Sequence, residues 1–320
     1  RWLQSWEVRG SKGLLVDRDY DGDLGMVYDS IIETRFQGQL TLSGLWVAEA
    51  SWAYNAVAGQ QQDIKGGIEF DGEVWILHSQ NVDSVEKLYL RRFDETGTPA
   101  WGVTEVVLTG GAAYYHPHSM VSSGSYLFMV ASLNGAVTSY LRKRGLNDAI
   151  STPTGTDFPA LANAADRYLL LWGTTKLFVF MWNSSTGAIV SNYSINDGNT
   201  WQATPTTVGY SAYEPTSAVM YTNDDGASVP HLGTAEGVIR TDSNGQNPSM
   251  VLPLPTQQFN CRGMAVWAGG LYVPTGLNPY GQLIEYKIQG GIRILSHIGL
   301  DQGAGLPAAR QGHIIDCRPH

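Results

Sequence analysis

Short runs of β-branched, aromatic and aliphatic residues, separated by Gly, Asp, Asn and Ser, make up most of this chain, and helical spacing of apolar residues is nearly absent. Apolar runs bounded by turn-forming residues are typical of β-strands. One form recurs, in which a turn precedes an apolar strand that carries an aromatic residue. Clear copies are FDGEVWILHS (70–79), SSGSYLFMVAS (122–132) and WAGGLYVPTG (267–276). The pattern therefore predicts an all-β protein.

The strands are grouped into a repeated unit. A shorter apolar run precedes each aromatic strand, as in GGIEF (66–70), PHSMV (117–121) and FPALA (158–162), and two further strands follow most of them. A unit of four short strands repeating at roughly 40–58 residues is typical of propeller blades, which stack radially because one blade alone leaves both faces exposed.

Five such units fit between about Gly66 and Gly299, and a sixth begins near the C-terminus, at 311–317. We therefore predict a β-propeller of about six four-stranded blades, closed by N- and C-terminal strands. Residues 1–60 would supply closing strands or form a small β element beside the propeller, and residues 61–320 would form the blades. The alternative is a β-sandwich at 1–60 followed by a five-bladed or incomplete propeller.

The composition limits the kinds of partner that this protein is expected to bind. Only 15% of the residues are charged, while 37 are Gly and 10 are Trp, as suits a turn-rich β protein. The net charge of −9 argues against nucleic acid as a partner, because phosphate contacts need clustered Lys and Arg. No apolar run reaches about 18 residues, so membrane insertion is not expected. Cys261 and Cys317 do not form a disulfide framework; one bridge and two thiols both remain open, and we favour thiols.

The octapeptide SINDGNTW (194–201) resembles the Asp-box, a Ser-X-Asp-X-Gly-X-Thr-Trp turn of sialidases, some other glycoside hydrolases, sorting receptors and other propellers, with Asn in the Asp position. Asn serves this position because its side chain also bonds backbone N–H groups. The resemblance implies a structural element away from any active site. It assigns a glycine with φ > 0 and a Trp packed between blade faces. The residues of this structural Asp-box are Ser194, Asn196, Gly198, Thr200 and Trp201.

Alternating carboxylates near the N-terminus read Asp-X-Asp-X-Asp-Gly, a pattern that wraps Ca²⁺ with oxygen ligands. The pattern departs from a calcium loop at its ninth and twelfth positions, Gly25 and Tyr28. Ca²⁺ is therefore the one candidate cofactor, and a plain acidic turn is the alternative. The candidate metal ligands are Asp17, Asp19, Asp21 and Asp23.

Two longer segments, 262–317 and 13–42, resemble propeller elements of bacteriophage tail and virion adhesion proteins. The resemblance implies a virion or other extracellular location. It also implies a non-catalytic binding role, other tail proteins or copies of the chain as partners, and a cell-surface carbohydrate or protein as the ligand. Aromatic rings stack on sugars, so loop-like aromatics are candidate ligand contacts. They are Trp101, Tyr114, Tyr115, Tyr213 and Tyr280. Blade-to-blade packing is the alternative role for such residues.

The competing hypothesis is a secreted sialidase-like or other glycoside hydrolase. Such enzymes need positioned carboxylates, and sialidases also need three arginines for the substrate carboxylate. No spacing of Asp or Glu singles out a catalytic pair, and the Arg-Ile-Pro motif of sialidase domains does not occur. We therefore name no catalytic residue and favour a binding protein.

Overall fold

The computed structural model describes residues 64–82, 85–93, 104–109, 115–133, 136–153, 157–222, 226–256, 260–261, 263–267, 269–275, 281–287 and 291–298. By its contacts the chain divides into two compact units. One contains Arg1–Ser51 and Ile298–Arg310, and the other contains Trp52–His297 and Gln311–His320. Nearly all described residues belong to the second unit. The regular elements in the described ranges are 19 β-strands.

The strands form five antiparallel sheets that follow one another along the chain. The first contains β1 (Ile64–Phe70), β2 (Glu73–Val82), β3 (Val85–Phe93) and β4 (Thr104–Thr109). The second contains β5 (Tyr115–Ser122), β6 (Tyr126–Leu133) and β7 (Ser139–Gly145). The third contains β8 (Arg167–Trp172), β9 (Leu177–Trp182), β10 (Ala188–Ser194) and β11 (Thr206–Tyr210).

The fourth sheet contains β12 (Ser217–Thr222), β13 (Ser228–Thr234), β14 (Gly237–Arg240) and β15 (Ser249–Pro253). The fifth contains β16 (Ala265–Trp267), β17 (Gly270–Thr275), β18 (Gly281–Lys287) and β19 (Gly291–Ile298). In every sheet each strand pairs with the strand that follows it in the chain. Each sheet is therefore an antiparallel meander.

Successive sheets pack face to face. Leu77 of the first sheet and Met129 of the second lie in one buried cluster, and Phe128 of the second sheet shares another with Val179 of the third. Two further clusters join the third sheet to the fourth and the fourth to the fifth. The first strands of neighbouring sheets also contact each other, β1 with β5, β5 with β8, β8 with β12 and β12 with β16. Sheets stacked in this way around their first strands have the arrangement of propeller blades.

The five described sheets are therefore propeller-type blades. The predicted sixth blade and the closing strands fall at 1–60 and near the C-terminus, outside the described residues, and remain predictions. The prediction of four strands in every unit is wrong for the second sheet, where a single bridge between Lys143 and Ser151 stands in place of a fourth strand. Arginines of β7 cover part of this edge, since Arg142 Nη1 donates to Leu141 O at 2.9 Å and Arg144 Nη1 to Gly145 O at 3.0 Å.

The third unit differs from prediction by one strand. The apolar run 158–162 is predicted as its first strand, but it lies outside the ladder, and β8 is the innermost strand instead. Pro159 has no N–H to give to a ladder. Phe158 still packs into the cluster between the second and third sheets. The fourth strand of the sheet is β11, although few of its residues are apolar.

Polar side chains of β5 satisfy the inner edge of β8. Ser119 Oγ accepts from Leu170 N at 3.0 Å, and His118 Nδ1 accepts from Tyr168 N at 3.3 Å. Since Nδ1 of His118 accepts, its Nε2 carries the proton and donates to Ser132 Oγ at 2.7 Å. The edge of a blade otherwise exposes unpaired backbone groups, so these bonds join the second and third blades where no ladder can.

Candidate functional site

A cleft of about 300 Å³ lies between the third and fourth blades, at the end of both sheets where β8 and β12 begin. Strand register brings its parts to this end, because Trp182 pairs with Arg167 at the start of β8 and Tyr210 pairs with Ala188 at the start of β10. Three connections form the walls: the β9–β10 hairpin, the β11–β12 loop and the β13–β14 turn. The lining residues are Trp182, Ser184, Thr186, Gly187, Tyr210, Ser211, Ala212 and Glu236.

The carboxylate of Asp166 accepts hydrogen bonds from the β9–β10 hairpin and fixes its position. Its Oδ1 accepts from both the backbone N and the Oγ of Ser184 at 2.8 Å, and its Oδ2 accepts from the N of Ala162 and of Asn163 at 2.9 Å. Burial alone would raise the pKa of Asp166, but these hydrogen bonds to the charged form outweigh it and leave the pKa below its ordinary value. The carboxylate is therefore a fixed anchor for one cleft wall.

The same hairpin is shaped by Asn183 and Gly187. Asn183 Oδ1 accepts from the backbone N of Ser185 and of Thr186 at 3.0 Å, which is a local Asx-type turn. Gly187 has a φ of 73°, and a Cβ there would lie 2.8 Å from Ser211 O. A glycine is needed here because both the positive φ and the close approach of the next loop exclude a side chain.

Ser211 joins the three walls. Its N donates to Gly187 O at 2.8 Å, and its Oγ accepts from Ala235 N at 3.3 Å. Its carbonyl accepts from Trp182 Nε1 at 2.9 Å, so the indole ring is held in one orientation. These bonds connect the hairpin, the β11–β12 loop and the β13–β14 turn. The cleft is therefore formed before any ligand arrives.

Glu236 contributes the charge of the cleft. Its Oε1 accepts from Ala212 N at 2.8 Å, and its Oε2 is buried without a hydrogen-bond partner in the described structure. A buried carboxylate oxygen without a partner is costly, so its presence calls for a physical reason. Among the described residues that line the cleft, Glu236 carries the one charged side chain.

Aromatic rings form the other feature of the cleft. Tyr210 is 66% exposed, and Trp182 is half-buried with its indole fixed by Ser211. Tyr213, in the β11–β12 loop that also supplies part of the wall, is 42% exposed. Rings fixed at a surface cleft can stack on the C–H face of a flat ligand at low entropic cost.

The predicted ligand contacts differ in their exposure to solvent. Tyr213 is exposed in the loop beside the cleft. Tyr115 is not a surface aromatic: it lies in β5, is 3% exposed and belongs to the buried cluster between the first and second sheets, which is the alternative of blade-to-blade packing. Trp101, Tyr114 and Tyr280 lie outside the described residues. The calcium ligands Asp17, Asp19, Asp21 and Asp23 also lie outside them.

Sequence reasoning missed Trp182, Tyr210 and Glu236 as site residues. Trp182 reads as the last residue of an apolar strand, and Glu236 reads as part of an ordinary hairpin turn. The one local signal is the pair of tyrosines, Tyr210 and Tyr213, in a polar segment that ends at Pro215. Among the described residues, no group of three or more His, Cys, Asp or Glu could hold a metal ion.

The octapeptide 194–201 connects β10 to β11 at the opposite end of the third sheet from the cleft. Ser194 Oγ accepts from Gly198 N at 2.9 Å, and Asn196 Oδ1 accepts from Thr200 N at 2.8 Å. Gly198 has a φ of 78°. Trp201 is 5% exposed, and its Nε1 donates to Gly198 O at 3.1 Å. Its ring stands edge-on to Phe158 at 5.0 Å, within the cluster that joins the second and third sheets.

Comparison with known proteins gives distant structural likenesses. No family model and no curated protein matches the sequence. The chain is similar in structure to the Hadza microbial sialidase Hz136, with 10% identity and a TM-score of 0.40 over 71% of this chain and 47% of that one. A nidogen/laminin complex gives 11% identity and a TM-score of 0.40 over 71% of this chain and 75% of that chain.

A third likeness is to the extracellular domain of a protein described as a hybrid two-component system from B. thetaiotaomicron. It has 15% identity and a TM-score of 0.43 over 75% of this chain and 28% of that chain. This chain thus spans less than half the length of the sialidase and of the two-component protein. At these scores the likenesses carry no argument about function. The described sheets themselves define an all-β protein of propeller-type blades. In its described part no helix is long and apolar enough to cross a membrane.

Proposed function

We propose that this chain is an extracellular, non-catalytic binding protein that takes a carbohydrate in the cleft between its third and fourth blades. One observation carries the proposal: an exposed tyrosine, Tyr210, and a fixed indole, Trp182, line the same preformed cleft. Sugars present apolar C–H faces and hydroxyl edges, so aromatic rings beside polar groups suit them.

The cleft favours binding over hydrolysis. Ordinary glycoside hydrolysis uses two carboxyl groups on either side of the bond that breaks. The lining residues supply one, Glu236, and one of its oxygens already accepts a backbone hydrogen bond. Glu214, on the neighbouring loop, is paired with Arg167 at 3.4 Å and is not among the lining residues.

A place on a bacteriophage tail, where the carbohydrate would belong to the host surface, is the more specific form of this proposal. It rests on the resemblance of segments 13–42 and 262–317 to tail propellers. This more specific proposal also includes self-association of the chain and contact with other tail proteins. Electron microscopy of virions labelled with an antibody to this chain tests it, and tails without label would rule it out.

The carbohydrate-binding role is tested by an array of neutral and acidic glycans, followed by calorimetry with each glycan that binds. Tyr210→Ala removes an exposed ring and should weaken binding about five- to tenfold, or about 1 kcal/mol. Ile195→Ala is the matched control. Ile195 is also 66% exposed but lies at the opposite end of the third sheet, so its truncation should leave binding unchanged.

Two results would contradict the proposal. One is an array on which no glycan is retained by the folded protein. The other is binding that Tyr210→Ala leaves intact, because the ligand would then lie elsewhere. Release of a fluorophore from fluorogenic glycosides would support the hydrolase hypothesis instead.

A further inference from the structure

The charge of the cleft carries an inference about which sugars it accepts. Glu236 is the one charged side chain among the described lining residues, and neither a Lys nor an Arg lines the cleft with it. Its Oε1 receives one backbone hydrogen bond, whereas its Oε2 is buried without a partner. The negative charge under the cleft is therefore not neutralised locally by a basic group.

Glu236 can be compared with another carboxylate, that of Glu214 on the β11–β12 loop. Glu214 Oε2 lies 3.4 Å from Arg167 Nε, so its charge is balanced by a cation. Asp166, below the hairpin, is surrounded by four donated hydrogen bonds from backbone N–H groups and a hydroxyl. Neither residue lines the cleft. Of these three acidic residues, Glu236 is the one that lines the cleft.

An anionic sugar in such a cleft would place a second negative charge close to Glu236 in a partly desolvated space. Like charges a few ångströms apart repel by an amount that is large compared with RT when water is excluded. A site for sialic or uronic acids needs the opposite arrangement, with arginine or lysine facing the carboxylate. The chain as a whole is also acidic, with a net charge of −9.

We propose that the cleft between the third and fourth blades selects neutral carbohydrates and excludes acidic ones, with Glu236 as the residue that sets this preference. The inference rests on the proposed carbohydrate-binding function and specifies the class of its ligand. Tyr210 and Trp182 supply the stacking surface, and the carboxylate of Glu236 makes the electrostatic potential of the cleft negative. The protein would then bind glycans that lack sialic or uronic acid residues.

The test compares matched pairs of glycans in calorimetry with the full chain. N-acetyllactosamine is paired with its sialylated form, and cellobiose with the corresponding aldobiouronic acid. We expect the acidic member of a pair to bind about tenfold more weakly to the wild-type protein, which corresponds to about 1.4 kcal/mol. The difference should shrink as salt is added, because screening weakens the repulsion.

Glu236→Gln removes the charge but keeps an oxygen that can accept from Ala212 N. The variant should bind both members of a pair with nearly equal affinity. Glu214→Gln is the matched control: it removes a carboxylate from the neighbouring loop, outside the cleft, and should leave the tenfold preference unchanged. Thermal unfolding of both variants establishes that they are folded at the temperature of the assay.

The outcomes separate this inference from the proposed function. Equal or tighter binding of the acidic members by the wild-type protein would overturn the inference while leaving carbohydrate binding in place. A preference that survives in Glu236→Gln would overturn the role of Glu236. Failure of every neutral and acidic glycan to bind would overturn the proposed function and this inference together.

Discussion

Replacing His231 with asparagine should flatten the pH dependence of folding stability. His231 lies in β13 and is fully buried. Its Nδ1 donates to Val229 O at 3.1 Å, its ring stands edge-on to Tyr221 at 5.2 Å, and its Nε2 is buried without a partner in the described structure. Burial lowers the pKa of His231 from 6.5 to about 4. The folded protein therefore holds this ring in its neutral form.

The sign of the effect follows from the two pKa values. The unfolded chain protonates this ring near pH 6.5, whereas the folded chain does so only near pH 4. Between these values the unfolded state binds more protons, so stability is fully present above about pH 6.5 and is lost as the pH falls towards about 4. The loss amounts to about 2 kcal/mol between about pH 7 and about pH 5, and about 3 kcal/mol by about pH 4.

The measurement is urea unfolding at about pH 7 and about pH 5, monitored by tryptophan fluorescence. In His231→Asn the Asn amide can still donate to Val229 O but does not titrate. The variant should be about 1–3 kcal/mol less stable than the wild type at the higher pH because of lost packing. At the lower pH this difference in stability should shift by about 2 kcal/mol in favour of the variant, because protonation of the ring stabilises only the unfolded wild type.

The control is Leu232→Ala, which truncates the buried neighbour of His231 without removing a titrating group. Its stability gap to the wild type should be the same at both pH values, at about 2–4 kcal/mol. All other titrating groups are shared, so they cancel in each comparison. If His231→Asn runs parallel to the wild type across this pH range, the argument from burial is refuted.

Two further predictions concern the β10–β11 turn and the buried thiol. Asn196→Ala removes the side-chain oxygen that accepts from Thr200 N and should lower the free energy of unfolding, measured in urea titrations, by about 1–2 kcal/mol. Asn196→Asp keeps that acceptor and should lower it by less than about 0.5 kcal/mol. Equal losses in the two variants would contradict the role of the acceptor. Burial raises the pKa of the Cys261 thiol to about 12, so iodoacetamide at neutral pH should modify Cys261 only after unfolding, as followed by peptide mapping that distinguishes it from Cys317. Modification of Cys261 at the same rate in native and unfolded protein would show that its burial is not maintained.

Much of the strand order could be predicted from the sequence because β propensity and turn chemistry are local. The apolar runs GGIEF and PHSMV lie in β1 and β5, and the aromatic strands after them are β2 and β6. The third unit went wrong for an equally local reason. FPALA is as apolar as a strand, yet Pro159 lacks the N–H that a ladder needs, and the strand that completes the sheet, β11, is largely polar.

Exposure of aromatic residues could not be predicted in the same way. Both faces of an inner blade are covered by neighbouring blades, so an aromatic on either face looks alike in the sequence. Tyr115 and Tyr213 both stand beside polar or small residues, but one is 3% exposed and the other 42%. Tyr115 is covered because the first blade packs over β5, whereas Tyr213 lies in the β11–β12 loop at the end of the sheets.

An all-β chain of repeated strand units, a net charge of −9 and a turn at 194–201 with Gly198 at its positive-φ position could all be predicted from the sequence alone. These features depend on residues close together in the chain. The cleft depends on residues far apart in it. Trp182 ends β9, Tyr210 ends β11, and Glu236 lies in the β13–β14 turn of the next sheet. They meet because the blades stack face to face and because strand register places all three at the same end. Contacts between blades form only in the folded protein, so the cleft could not be predicted from local sequence.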